Sequence, residues 1–198
     1  VHALMGPNGS GKSTLGYAIM GSVYARHVLR VENPRVGIMS NGEEAEKGND
    51  FTRETFSLIA DYVDSGKASF EWLGNVEGFD LFMSKLDVCL CDGFVGNVVL
   101  KACGATAKAM TKWIKEAMQA NPLRMTGALM AKGGFTAVRD RMNYETYGGS
   151  PLLGIKGVCI IAHGSSSALA IQNALRVATE AIEHNVNPHI VEAMKAIA

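Results

Sequence analysis

The first residues whose types and spacing could do chemistry form a glycine-rich phosphate loop. The segment Gly6-Pro-Asn-Gly-Ser-Gly-Lys-Ser13 fits the pattern G-x-x-x-x-G-K-S in full, and it follows five mostly apolar residues and opens helix-forming sequence. In such loops backbone N–H groups surround phosphate oxygens, the lysine reaches the terminal phosphates and the hydroxyl ligates Mg²⁺. The sequence therefore predicts that phosphate or Mg-ATP binds these residues: Gly6, Gly9, Gly11, Lys12, Ser13 and Thr14. No metal site is predicted apart from Ser13 with a bound nucleotide.

A second candidate anion site is the segment Asp92-Gly-Phe-Val-Gly-Asn97. It has the pattern of a strand end, a glycine turn and a helix start, and the free N–H groups of a helix start attract anions. Gly93 and Gly96 would let a ligand approach the backbone closely. The alternative is a plain tight turn between strand and helix, with Asp92 as a helix cap.

Composition and charge indicate an ordinary globular chain. Of 198 residues, 47% are hydrophobic and 19% are charged, with a formal net charge of zero. A zero net charge argues against a broad nucleic-acid interface, and no apolar run is long enough to span a bilayer. The four cysteines read as reduced residues of a cytosolic protein. The chain begins at Val1, already in a strand, so the sequence predicts a fragment.

Short apolar runs alternate with longer segments of helical period, which predicts a parallel α/β sheet. Parallel sheets of this kind bind ligands at the carboxyl ends of their strands. The predicted strands are Val1–Met5, Arg35–Ser40, Ser69–Leu73, Asp87–Cys91 and Val158–Ala162. The predicted helices are Thr14–Leu29, Phe51–Val63 with Asn49 or Asp50 as its cap, Gly96–Ala120 and Ser165–His184.

Two of the predicted helices carry an apolar stripe that we expect to face the core. The stripe of the first is Leu100, Cys103, Ala107, Met110, Ile114 and Ala117, with Lys101, Lys108, Lys112 and Lys115 away from it. The stripe of the second is Ala168, Ile171, Leu175, Ala178 and Ile182.

From about Tyr17 onward the chain resembles the PlsX family of bacterial phosphate acyltransferases. Six segments in the family's order carry the resemblance: YAIMGSVYA (17–25), NPRVGIMSNGEEAEKGN (33–49), FEWLGNVEG (70–78), DVCLCDGFVGNVVLK (87–101), NYETYGGSPLLGIKG (143–157) and IAHGSSSALAIQNALRVA (161–178). The resemblance implies transfer of a fatty acyl group from acyl carrier protein to inorganic phosphate, in fatty acid and phospholipid synthesis. It also implies a homodimer and a three-layer α/β/α fold like that of isopropylmalate dehydrogenase. The family's first half is missing here, so the resemblance implies an incomplete fold, and the alternative to an active enzyme is a chain that is inactive because it is truncated.

For this chemistry the residues supply a set of candidates. Lys47 is the best cation to face phosphate, Asp92 would orient phosphate or a basic partner, and His163 would donate to the thioester carbonyl or to phosphate. The proposed phosphate or substrate contacts are Asn75, Gly93, Gly96, Asn97 and Ser165. The alternatives are a solvated Lys47 in an acidic loop and a structural His163. No cofactor is required for this reaction.

The first fifteen residues resemble a different protein, the Walker A region of ABC-type ATPases, closest to the ATPase of iron–sulfur cluster assembly. The sequence therefore predicts a chimera of a P-loop segment (1–16) and a phosphate acyltransferase segment (17–198). The ATPase signature motif is absent, and Gly93 follows the Walker-B-like segment Leu86–Asp92 where a catalytic Glu would stand. We expect weak nucleotide or phosphate binding at most, and the alternative functions are a nucleotide-binding module or an inactive dimerising fragment.

The segment Gly127–Arg141 mixes apolar and basic residues. Such a segment can rest on an anionic membrane surface, and peripheral membrane association is a property that the resemblance also implies. The alternative is a dimer contact or local packing. The sequence thus predicts a cytoplasmic protein with acyl carrier protein and phosphate as partners, possible membrane contact through 127–141, and no nucleic acid.

Overall fold

The computed structural model describes residues 2–6, 11–83, 86–141, 149–164, 166–195 and 197. Its centre is a parallel sheet of four strands in the order β1-β4-β2-β3. These strands are β1 (His2–Gly6), β2 (Arg35–Met39), β3 (Glu71–Val76) and β4 (Val88–Asp92). All four were predicted to within a few residues, and the fold is the expected α/β class with helices around a parallel sheet.

Helices connect and flank these strands in the described residues. They are α1 (Gly11–His27), α2 (Asp50–Asp64), α3 (Asp80–Met83), α4 (Gly93–Gln119), α5 (Pro122–Met130), α6 (Lys132–Arg141), α7 (Ala168–Glu183) and α8 (Val186–Met194). Of these, α1, α2, α4 and α7 were predicted, whereas α3, α5, α6 and α8 were not. Asn49 caps α2 by accepting a hydrogen bond from the Thr52 N–H, as predicted. Among the described residues, no helix is both long and apolar enough to cross a membrane.

The core lies between the sheet and the helices α1 and α2. Val36, Ile38, Val88 and Leu90 alternate along β2 and β4, so their side chains share one face and meet Ile59 of α2. All five are at most 1% exposed, and burying each contributes about 1.5–3 kcal/mol. A smaller cluster of Val76, Leu86 and Cys89 lies on the opposite face of the sheet.

An ion pair fixes the register where β2 and β4 begin. The Arg35 guanidinium lies 2.9 Å from an Asp87 carboxylate oxygen, which also accepts the Arg35 backbone N–H at 2.9 Å. Burial raises the pKa of Asp87, but its hydrogen bonds from Arg35 outweigh burial and hold that pKa below its ordinary value. This pair lies at the amino ends of these strands, opposite their carboxyl ends.

A bulge in β3 reverses which face its last residues use. Val36 pairs with Trp72 and Gly37 pairs with Gly74, so Leu73 is an extra residue, and Gly74 has a φ of +78°. Without the bulge, Trp72 and Val76 would share a face. Instead Trp72 packs on the α2 side, whereas Val76 lies on the other face under Gly37, where an added Cβ would meet it at 2.5 Å.

The prediction that Cys159–Ile161 forms a fifth buried strand of the parallel sheet is wrong. The strand β6 (Ile160–Ile161) pairs antiparallel with β5 (Ser150–Pro151) in a separate two-stranded sheet, and Ile161 is 54% exposed. The connection contains Gly154 and Gly157, both with positive φ. Pairing with a segment only a few residues away costs little loop-closure entropy, so the local hairpin prevails over joining the distant sheet.

The predicted apolar stripes of α4 and α7 do not face the core of this chain. On α4, Leu100, Met110 and Ile114 are 42–52% exposed. On α7 the structure buries the adjacent face instead, which consists of Ala170, Ala174, Val177 and Ala181, and it leaves Ile171, Leu175 and Ile182 exposed. Three small alanines let α7 approach closely, which the bulkier stripe would prevent, so helical period alone selected the wrong face.

Candidate active site

The carboxyl ends of the four parallel strands bring most of the predicted site residues to one edge of the sheet. Gly6 at the end of β1 is the register partner of Asp92 at the end of β4. Ile38 of β2 is the register partner of both Asn75 and Leu90, so Asn75 lies about two strand spacings, roughly 10 Å, across the sheet from Leu90. The phosphate loop, Asp92 and Asn75 therefore share this edge.

Asp92 is the N-cap of α4. Its Oδ1 accepts hydrogen bonds from the backbone N–H groups of Phe94 and Val95, each at 2.9 Å. This is the structural role that the sequence left open as an alternative, and it fixes the carboxylate at the helix start. Gly93 opens the helix, Gly96 is buried and the exposed Asn97 amide donates to the Gly93 carbonyl at 3.0 Å.

Lys47 lies in the loop that follows β2. The loop is closed by a hydrogen bond from the Gly48 N–H to Asn41 Oδ1 at 2.8 Å, and the Lys47 N–H donates to the Glu44 carbonyl at 3.0 Å. The Lys47 stem lies over Gly42, where an added Cβ would meet its Cγ at 2.7 Å. The Lys47 side chain is exposed, as a cation that meets a diffusing anion must be.

Asn75 ties β3 to this loop. Its Nδ2 donates to the Glu44 carbonyl at 2.6 Å, while its buried Oδ1 has no hydrogen-bond partner among the described residues. The β3 bulge places Asn75 on the same face as Ile38, toward the loop. One of the two Asn75 N–H groups thus holds the Lys47 loop, and the unsatisfied Oδ1 is the kind of buried acceptor that calls for a donor.

A cleft of about 330 Å³ opens beside Asn75. Its lining is Glu43, Leu73, Asn75, Val76 and Asp80. Two carboxylates and an amide oxygen suit a ligand with hydrogen-bond donors and disfavour phosphate, which is itself an anion. Sequence reasoning missed Glu43, Asp80 and the buried Ser40 hydroxyl, which also lacks a partner among the described residues. The signal for them was their position just after two strand ends.

The phosphate-loop segment has the predicted strand before it and helix after it, β1 and α1. Its turn at 7–10, which includes Gly9, lies outside the described residues, as does the Lys12 side chain. Ser13 is exposed in the first turn of α1 and Thr14 is buried at 5% exposure. Since β1 neighbours β4, the first turns of α1 and α4 follow strands about 4.8 Å apart.

His163 follows β6. If the predicted strand Val158–Ala162 belonged to the parallel sheet, His163 would end it at the same sheet edge as Asp92. This expectation is wrong, because β6 belongs to the separate two-stranded sheet. His163 is exposed, and its backbone N–H donates to Ser166 Oγ at 3.0 Å while its carbonyl accepts from the Ser166 N–H at 3.0 Å. These two bonds form a tight turn before α7, whose N-cap is Ser167. Ser165 lies outside the described residues.

The thiols of Cys89 and Cys91 are poorly suited to act as nucleophiles or metal ligands at this edge of the sheet. Burial, then the neighbouring Cys91 and Asp80, raises the pKa of the Cys89 thiol to about 12, and burial raises that of Cys91 to about 11. A thiol with so high a pKa is neutral at physiological pH and is a poor nucleophile or metal ligand. Within the described part of the chain, no three His, Cys, Asp or Glu side chains are grouped to hold a metal ion.

Comparison with known proteins gives one consistent result. A family model described as "Fatty acid synthesis protein" matches residues 9–189. The chain is 53% identical over 188 residues to a phosphate acyltransferase of Akkermansia muciniphila, a match that covers 95% of this chain and 54% of the relative. It is 47% identical over 180 residues to a phosphate acyltransferase of Leptospira biflexa (90% and 51%) and 46% identical over 179 residues to one of Geotalea daltonii (90% and 50%).

The matches cover nearly all of this chain but only part of each relative. The chain spans about half the length of the curated relatives that it matches. The family model begins at residue 9, inside the phosphate-loop motif, so residues 9–16 lie within the family match. A separate origin for residues 1–16 stays a prediction. Because the model covers most of the chain and the identity reaches 53%, the chain belongs to the PlsX-like phosphate acyltransferase family.

Proposed function

We propose that this chain carries the site at which a fatty acyl group passes from acyl carrier protein to inorganic phosphate. A phosphate oxygen attacks the thioester carbonyl, a C–O bond forms and the C–S bond breaks. The carrier thiolate leaves and takes up a proton, and the product is acyl phosphate. No electrons are exchanged with a cofactor, so the residues need only bind the anion, hold the thioester and stabilise the oxyanion.

The observation that carries the proposal is the convergence of two helix starts and a lysine loop at one sheet edge. The starts of α1 and α4 follow neighbouring strands, and each presents the positive end of a helix dipole to this edge. Asp92 already accepts two of the first N–H groups of α4. Asn75 anchors the Lys47 loop to the same edge. Phosphate then lies over the helix starts and Lys47, away from the carboxylates of the cleft.

The positions at this edge suit three kinds of role. Lys47 faces phosphate, Asp92 orients phosphate or a basic partner with the oxygen that α4 does not use, and Gly93, Gly96 and Asn97 contact the substrate. The roles of His163 at the thioester carbonyl and of Ser165 rest on the family resemblance alone. Asn75 acts through the loop, because one of its amide N–H groups already donates to Glu44.

The experiment is acyl-phosphate formation by the purified chain from acyl carrier protein loaded with palmitate, with and without inorganic phosphate. The product is trapped as its hydroxamate. Phosphate-dependent product that is lost in Lys47→Ala and kept in Lys67→Ala, an exposed lysine in the loop between α2 and β3, supports the proposal. Thioester cleavage at the same rate without phosphate would show a different reaction.

A second candidate function is nucleotide binding at the phosphate loop, because β1 and α1 form the strand and helix that this loop needs. Hydrolysis also needs a positioned water and a base, which the sequence does not supply. We expect weak Mg-ATP binding at most and negligible ATPase activity. Turnover near one per second that disappears in Lys12→Ala would reverse the order of the two functions.

The partners beyond substrate are a second copy of the chain and, through 127–141, an anionic membrane surface in the cytoplasm. The exposed apolar side chains of α4, among them Met110, Trp113 and Ile114, support the homodimer, and Leu129, Met130 and Val138 support membrane contact. Light scattering at several concentrations tests the dimer, and Trp113→Lys should shift it to monomer. Sedimentation with vesicles containing phosphatidylglycerol tests the membrane contact.

A further inference from the structure

A row of four lysines runs along one side of α4. Lys101, Lys108, Lys112 and Lys115 are spaced by seven, four and three residues, so at 100° per residue they fall within a sector of about 60° and extend over about 21 Å. We call these four residues the lysine row. All four are exposed. Lys112 Nζ lies 3.8 Å from Glu116 Oε1, and both of these side chains are more than half exposed.

The charge of this region differs sharply from that of the rest of the chain. Between Gly93 and Arg141 there are eight Lys and Arg residues and two Asp and Glu residues, which gives a net charge of +6. The whole chain has a net charge of zero, so the remaining residues carry −6. Such a separation creates a local positive field that a neutral total conceals.

The lysine row is not the apolar side of the helix. Met110 and Ile114 lie about 170° and about 130° around the helix from the centre of the row. The residues between the lysines on this side are small or polar, such as Gly104, Ala105 and Thr111. A helix that inserts into a bilayer surface needs large apolar side chains beside its lysines. The lysine row lacks them, which favours a polar partner that docks on a shallow surface.

A second copy of the chain is also a poor occupant. A two-fold contact through this side of α4 would place the lysine row against itself, and like charges across an interface are unfavourable. The apolar side of α4 remains available for that contact. The geometry therefore leaves the lysine row facing outward when the apolar side is covered.

We propose that the lysine row is the docking surface for an acidic protein, and that this protein is the carrier that delivers the acyl group. This rests on the proposed function, because only a carrier-bound substrate needs a protein docking surface. The position fits the role, since α4 starts at the candidate site and Lys101 lies about 12 Å along the helix from Gly93. Charge complementarity there would steer the carrier toward the site and raise its association rate.

The test is binding of fluorescently labelled acyl carrier protein to the whole chain, measured by anisotropy at 50 mM and 300 mM salt. The double variant Lys108→Glu/Lys115→Glu should weaken binding at least tenfold at low salt and flatten its salt dependence. The matched control Lys67→Glu/Lys156→Glu makes the same charge change at two exposed lysines outside α4 and should leave binding within twofold. Circular dichroism checks that both variants are folded.

The proposal would be overturned if the unaltered chain did not bind the carrier, or if both double variants bound it equally well. It would also be overturned if Lys108→Glu/Lys115→Glu lost binding to anionic vesicles while its binding to the carrier was unchanged. The proposed function is tested apart from it with an acyl thioester of a small thiol, which needs no docking surface. If the lysine row docks the carrier, the Lys108→Glu/Lys115→Glu variant should keep its rate with the small thioester and lose it with the carrier. Failure with both substrates in the unaltered chain would instead reject the proposed function.

Discussion

At the scale of single residues, Asp92 shows how one side chain can serve structure and chemistry together. Its Oδ1 caps α4 through two backbone N–H groups, so the carboxylate cannot turn freely toward a ligand. A mutation to alanine would remove both a cap and a charge. The cap is worth about 0.5–2 kcal/mol, and an activity loss in that variant alone would not separate the two roles.

Comparing Asp92→Asn with Asp92→Ala separates them. Asparagine keeps a capping oxygen and loses the charge, so we expect thermal stability within about 0.5 kcal/mol of the parent and a fall in acyl-phosphate formation of roughly 10²-fold. Asp92→Ala should lose both activity and stability. Full activity in the asparagine variant would confine Asp92 to its capping role.

Lys47 provides the second prediction at this scale. Lys47→Ala should lower acyl-phosphate formation by roughly 10²-fold, because a cation that faces the transferring phosphate would be lost. Since the side chain is exposed, the melting temperature should not change. Steady-state rates at varied phosphate, with Lys67→Ala as the control, measure this. An unchanged rate would mean that Lys47 is a solvated lysine in an acidic loop.

The third prediction at this scale concerns Gly74, because the β3 bulge that orients Asn75 depends on this glycine. Its φ of +78° is costly for any residue with a Cβ, and an added Cβ would also meet the Phe56 ring at 3.0 Å. We expect Gly74→Ala to cost about 1–2 kcal/mol in chemical denaturation. Gly78→Ala, in the next turn with open space around its Cα, is the control. Equal stability of the two variants would contradict the importance of the bulge.

Sequence reasoning located the strand-end residues well and their contacts poorly. Asp92 and Asn75 fall at the predicted edge because parallel strands all end there. The capping of α4 by Asp92 was an open alternative, and the β3 bulge was not predicted, because one extra residue in a strand leaves no periodic signal. The cleft carboxylates Glu43 and Asp80 come together only through the fold, since one lies in the loop after β2 and the other begins α3.

At the scale of elements, a group of histidines joins α1 to the helices α7 and α8. The rings of His27 and His189 stack with centroids 3.9 Å apart, and Arg30 Nη2 lies 2.9 Å from His184 Nε2. Burial, then His189, Arg26, His184 and Arg30, lowers the pKa of His27. The surroundings of His27 at this joint therefore disfavour its charged form.

This joint predicts a pH dependence of stability. Because the His27 pKa is lower in the folded chain than in the unfolded one, the unfolded chain binds more protons. The contribution of His27 to the free energy of unfolding should be fully present above about pH 6.5 and should decrease as the pH falls below that value. Urea denaturation at pH 7.5 and 5.5 measures the loss, and His27→Gln should reduce it. An identical loss in His27→Gln would place the acid sensitivity elsewhere.

The existence of the long helices and strands was predictable from the sequence. Which side of each one packs against the rest of the chain was not. Helical period identified α4 and α7, but α7 has apolar residues on two adjacent faces, and only packing selects the alanine face. The apolar run at Cys159–Ile161 had the composition of a buried strand. It pairs instead with the nearby residues Ser150–Pro151, and intrinsic strand propensity does not determine which partner a strand pairs with.

At the scale of the whole molecule, the chain has a compact half and an exposed half. The four-stranded sheet with α1 and α2 forms a dense core, whereas α4 to α6 carry large apolar side chains on their surface, including Trp113 at 63% and Met130 at 86% exposure. Exposed apolar area on this scale marks an interaction surface. The basic and apolar sides of α4 then divide between different partners, as the lysine row and the homodimer proposals require.

In the proposed reaction, phosphate itself is the nucleophile at the carboxyl edge of the sheet. The most direct measurement is mass spectrometry of the acyl phosphate formed from palmitoyl carrier protein and phosphate labelled with ¹⁸O in all four positions. If a phosphate oxygen attacks the thioester, the product retains all four labelled oxygens, and Lys47→Ala gives far less of it. Free palmitate without label, formed at the same rate in both proteins, would show that water attacks instead and would contradict the account.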